Sequence, residues 1–132
     1  MTEVIRIANC SGFYGDRLDA AREMVEGGPI DVLTGDYLAE LTMSILYNQQ
    51  QSRGENMGYG GTFLKQVQQV AGTCLEKGIK IVTNAGGLNP KSMADEIEKI
   101  LKEQGLSAKV AWIDGDDLLT NLDELQQAGQ SF

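Results

Sequence analysis

The stretch Ile79–Pro90, IKIVTNAGGLNP, leaves this chain the fewest options for its fold. Ile79, Ile81 and Val82 make a short β-branched run, Asn84-Ala85-Gly86-Gly87 breaks it, and Asn89-Pro90 opens an amphipathic segment. A strand that passes through a glycine turn into a helix is the repeating unit of an α/β sheet. Open parallel sheets bind their ligands at such loops, outside the carboxyl ends of the strands. The same order of parts recurs in IRIANCSGFYGD, IDVLTGDY and KVAWIDGDD.

Taken in order, residues 4–10 read as a first strand, with Val4, Ile5 and Ile7 as its apolar positions. Asp16 is placed to cap a helix whose stripe is Leu18, Ala21 and Val25 and which Gly27-Gly28-Pro29 stops. Ile30–Thr34 is a second strand, followed by a long helix from about Tyr37 to about Gln51. GENMGYGG, residues 54–61, carries four glycines and reads as a flexible connector, with a lid or interface as the functional alternative. Thr62 is placed to cap a helix with Phe63, Val67, Val70, Ala71 and Cys74 on one face, ended by Lys77-Gly78. After the third strand, Asn89 and Pro90 start a helix that runs to Gly105. Lys109–Asp114 reads as a fourth strand and Leu118, Leu119, Leu122 and Leu125 as the apolar set of a last helix. Strands alternating with helices predict one α/β domain over residues 1–132. Its expected core is a small, Rossmann-like, doubly wound parallel sheet of four strands, in the order 2-1-3-4, with helices on both faces. Strands one and three are then neighbours, and Asn84 lies in the crevice where the winding reverses.

Charge and composition narrow the function. A formal net charge of −8 without a lysine-arginine cluster argues against binding nucleic acid, which needs a basic face. No run approaches the roughly 18 apolar residues of a membrane span, and no basic stretch leads into an apolar leader. No membrane partner is expected, and the chain is expected in the cytoplasm. Cys10 and Cys74 read as buried, reduced thiols. With no histidine and no CxxC pair, no metal site is expected, although the acidic loops leave carboxylate-bound Mg²⁺ or Ca²⁺ open. The G-F-Y-G-D spacing lacks the dinucleotide fingerprint, and no P-loop lysine is present, so no cofactor is implied. Ser11 has no histidine to activate it.

Parallel topology gathers the strand-end loops on one rim. The candidate ligand-binding residues there are Asn9, Ser11, Gly12, Gly35, Gly86 and Gly87, and the candidate catalytic residues are Asp36 and Asn84. Asn84 and the Gly86 and Gly87 N–H groups suit polarising a carbonyl or holding a carboxylate or phosphate. Asp36 is the candidate general base. The plainer alternatives are that Asp16, Asp36 and Asp116 cap helices, that Gly86-Gly87 makes a tight turn, and that Asn84 bonds its own turn.

Three stretches in order, IANCSGFYGDR, DVLTGDYLAELTM and VTNAGGLNP, resemble the N-terminal part of the acyclic terpene utilisation (AtuA-like) family, also catalogued as a domain of unknown function. The resemblance spans roughly residues 5–125. It implies a role in the catabolism of citronellol- and geraniol-type terpenes through acyl-CoA thioesters, and a family architecture several times longer than this chain. The expected ligand is a small organic acid or an acyl-CoA thioester. The rival expectation is a non-catalytic interaction or oligomerisation domain that docks through residues 47–61. Free sheet edges, with Met43, Tyr47, Met57 and Tyr59 nearby, add the expectation of a homo-oligomer or of contacts with the remainder of a longer chain.

Overall fold

A computed structural model describes residues 4–131. The fold is α/β, built on a small parallel sheet. β1 (Ile7–Asn9) leads to α1 (Ala20–Glu26), β2 (Val32–Gly35), α2 (Glu40–Arg53), α3 (Gly61–Lys77), β3 (Lys80–Thr83) and α4 (Pro90–Glu103). A 3₁₀ turn at Leu119–Asn121 and a short α5 (Leu122–Gln127) follow.

The sheet corrects the expected topology. Its order is β1-β2-β3, with β2 in the centre and β3 at an edge. Ala8 pairs with Leu33 and Leu33 with Ile81, so strands one and three do not touch. The expected fourth strand, Lys109–Asp114, joins no sheet; Val110 packs on the core, whereas Ile113 is 91% exposed. Among the described residues, helices do not cover both faces either. In register, Ala8, Leu33 and Ile81 point to the side where α1 and α3 pack, and α4 joins that side against α3. The opposite face carries Ile7, 66% exposed, and Val82, 58% exposed. The physical reason is the direction of winding. Right-handed crossovers that always step the same way put every helix on the same face; covering both faces requires a reversal.

Two apolar clusters meet at Ile81. One gathers Cys10, Ala21, Val25, Leu33, Val70, Cys74 and Ile79 under α1 and α3; the other gathers Tyr37, Phe63, Val67, Ala71, Met93 and Leu101 between α3 and α4. Both cysteines are free thiols and buried. Two helix ends form as their residues suggest. Asn89 caps α4 by accepting from the Ser92 N–H at 3.1 Å, with Pro90 in its first turn. Gly78 ends α3 in the left-handed region at φ 69°. Other caps differ: α1 and α2 begin at Ala20 and Glu40, beyond the reach of Asp16 and Asp36, and Thr62 makes no side-chain cap to α3. Leu119 N–H bonds Asp117, not Asp116, ahead of the 3₁₀ turn.

The glycine-rich connector is pinned rather than loose. Gly60 N–H donates to the Ala85 carbonyl at 2.7 Å and Leu88 N–H to the Gly58 carbonyl at 2.8 Å. Asn89 Nδ2 reaches the Glu55 carbonyl at 2.8 Å, and Gly58, Tyr59 and Gly60 are buried. Tyr59, expected near an interface, sits in the core instead.

Candidate functional site

The rim is set by where the strands stop. β1 ends at Asn9, β2 at Gly35 and β3 at Thr83, and parallel register brings the following loops side by side. Asp36 N–H donates to the Ser11 carbonyl at 3.0 Å, tying the first loop to the second. Asn84 ties the second to the third. Its Nδ2 donates to Asp36 Oδ1 at 2.7 Å, and its Oδ1 accepts from the Tyr37 N–H at 2.8 Å. Asn84 therefore neither bonds its own turn through its side chain nor faces the first loop; it reaches across to the β2 loop. Asp36 and Asn84 are both exposed. Each keeps capacity to spare: Asp36 Oδ2 has no partner among the described residues, and an amide has a second N–H.

The other expected rim residues are already engaged in holding the loops. Asn9 donates to the Ser11 carbonyl at 2.9 Å and accepts from Thr34. Ser11 is buried, and its hydroxyl donates to the Phe13 carbonyl at 2.9 Å. Gly12 N–H donates to Asp16 at 3.0 Å, and Arg17 N–H to the same carboxylate at 2.7 Å. These two donors hold the Asp16 carboxyl below its usual range. Gly87 lies at φ 53°, and a methyl group there would stand 2.4 Å from Leu46 Cδ1 and 2.8 Å from the Gly58 carbonyl oxygen. Its bareness lets α2 approach the third loop. Gly35 and Gly86 are equally tight: added methyls would stand 2.6 Å from the Tyr37 ring and 2.7 Å from Pro90 Cβ.

Beneath the rim lies a polar hub that the sequence reading missed. Tyr37 is fully buried, and its hydroxyl donates to Gln66 Oε1. Gln66 Nε2 donates in turn to the Arg17 carbonyl at 3.1 Å. The Tyr37 ring meets Phe63 edge-on, with centroids 5.8 Å apart. Burial, then the neighbouring Cys10, raises the Tyr37 pKa, and burial raises that of Cys10, so both stay protonated at neutral pH. Cys10 is thus a structural thiol, not an activated nucleophile. A signal did exist: Gln66 falls three residues after Phe63, on the apolar face of its helix.

An open cleft of about 480 Å³ runs beside the third loop, between Leu88 and the α2 residues Met43, Ser44, Tyr47 and Asn48. Among the described residues, no three acidic or sulfur side chains come together to hold a metal ion, and no helix is long and apolar enough to cross a membrane.

The Asp36–Asn84 contact yields a direct expectation. Asn84→Asp replaces an amide donor 2.7 Å from Asp36 with a second carboxylate. Two such groups resist ionising together, so one folded-state pKa rises above the unfolded value of about 3.9. A raised folded pKa stabilises below the unfolded pKa and loses that contribution as pH climbs through the folded value. The variant should therefore be less stable than the parent by about 1 kcal/mol at pH 7 and approach it near pH 4. Urea titrations at the two pH values measure this; an equal deficit at both refutes the contact.

The fold and rim define a small parallel α/β domain with a polar pair at the carboxyl ends of its strands. Comparison with protein families then places it: residues 5–132 match the model of the acyclic terpene utilisation family protein AtuA, and the chain belongs to that family. The comparisons with curated proteins and with solved structures find no match.

Proposed function

We propose that this chain is the ligand-binding α/β part of a cytoplasmic protein of acyclic terpene utilisation, and that it acts on a small organic acid or an acyl-CoA thioester. The observation that carries the reading is the exposed Asp36–Asn84 pair. Asn84 fixes the Asp36 carboxylate through one oxygen and leaves Oδ2 as a proton acceptor. The second Asn84 N–H is free to donate to a carbonyl oxygen. A base beside a carbonyl-polarising donor suits removing a proton next to a thioester, or activating water against it. Family membership supplies the terpene context.

Thermal-shift titration with branched and straight acyl-CoAs and short organic acids tests the reading. We expect a rise in Tm for at least one thioester or acid, abolished in both Asp36→Asn and Asn84→Ala. No rise with any of them, in a sample folded by circular dichroism, counts against it. An interaction domain is the second reading, favoured by the bare sheet face carrying Ile7 and Val82; it predicts an intact partner complex in both variants.

A further inference from the structure

We infer that the bare face of the sheet is covered by α5 and its preceding 3₁₀ turn from a second copy of this chain, the two copies exchanging arms. The first half of the contact is the sheet. Register places Ile7, Asn9, Val32, Thr34, Lys80 and Val82 on one face, and among the described residues no helix lies over it. Parallel sheets are normally covered on both faces, because their strands are apolar on both. Among the paired strand residues this face carries a cation, Lys80, and no carboxylate, in a chain whose net charge is −8.

The second half is the arm. Leu118, Leu119, Leu122 and Leu125 recur at helical spacing. Leu118 and Leu119 are 46% and 65% exposed, Leu122 and Leu125 are half-buried, and among the described residues α5 contacts no secondary-structure element but the 3₁₀ turn. From Asp114 onward the sequence carries five carboxylates and no lysine or arginine. An apolar, cation-bearing, acid-free face and an apolar, acid-rich, cation-free arm are complementary, and one polypeptide carries both. In the structure the arm does not lie on its own sheet. Two copies related by a two-fold axis satisfy both contacts at once, each arm on the other's sheet, which is the self-complementary arrangement of a closed dimer. The leucines supply apolar burial, and the charges set orientation and oppose a face-to-face pairing of two lysine-bearing sheets.

Sedimentation velocity of the 132-residue chain at tens of micromolar tests this. The expected species has twice the 14.3 kDa chain mass. Leu125→Asp on the arm and Val82→Glu on the face should each give a monomer with an unchanged circular dichroism spectrum. Mixing the two variants should restore a dimer, because the intact arm of the Val82→Glu chain meets the intact face of the Leu125→Asp chain. A monomeric parent, dimers that survive both substitutions, or variants that stay monomeric when mixed would each overturn the proposal. If either variant loses its fold, crosslinking of the parent from a cysteine introduced at Gln126 to one at Thr34 decides between copies: a covalent dimer supports the exchange, and an intrachain link overturns it.

Discussion

Gly87→Ala is expected to destabilise the protein by about 2–4 kcal/mol, through left-handed backbone strain and overpacking together. The residue sits at φ 53°, where an L side chain is disfavoured, and its methyl would lie 2.4 Å from Leu46 Cδ1 and 2.8 Å from the Gly58 carbonyl oxygen. Leu46 is fully buried and the Gly58 carbonyl accepts from Leu88, so neither neighbour can withdraw without losing a contact. The melting temperature should fall on the order of 10 °C. Gly72→Ala is the matched control. It lies inside α3, where the added methyl meets only Leu106 at 4.0 Å. Higher helix propensity should raise stability there by about 0.5–1 kcal/mol. Equal, small effects at both positions would show that α2 is not seated on the third loop.

The second large effect is expected at the buried hub. Gln66→Leu removes the acceptor for the Tyr37 hydroxyl and the donor to the Arg17 carbonyl, in a site without access to water. Stranding buried polar groups costs about 1–3 kcal/mol each, more than the net worth of the bonds themselves. Tyr37→Phe strands Gln66 Oε1 in the same way. The double variant removes the Tyr37 hydroxyl and the Gln66 amide together, so its loss should be clearly smaller than the sum of the two single losses. Chemical denaturation of the four proteins reads this directly; additive losses would mean that the two side chains do not act as one unit.

How much of this was legible beforehand depends on the range of the interaction responsible. The first three strands were visible because β-branched runs such as Ile79–Val82 mark a strand locally. Asn89-Pro90 and Gly78 were legible for the same reason, since a cap is a matter of a few adjacent residues. Strand order was not legible, because a βα unit reads the same whether its crossover steps left or right. KVAWID carries the composition of a strand but finds no partner, and composition alone does not say whether an edge is taken. The glycines of residues 54–61 suggested mobility; in the fold they allow close packing against residues 84–89, a contact made by no neighbour in sequence. On the rim, Asp36 and Asn84 were identified, yet their mutual bond and the hub of Tyr37 and Gln66 join residues 48 and 29 positions apart in the chain.

The single direction of winding also governs how such a sheet can be enlarged. A further parallel unit that continues past β3 by the same right-handed step would deliver its helix to the side already populated by α1, α3 and α4. Extension in that sense lengthens the layer and widens the bare surface with it. Only chain that doubles back beyond β1, or that arrives from outside, can roof the other side. The architecture is asymmetric by construction: one side is completed locally, helix by helix, and the other is left to whatever comes from a distance.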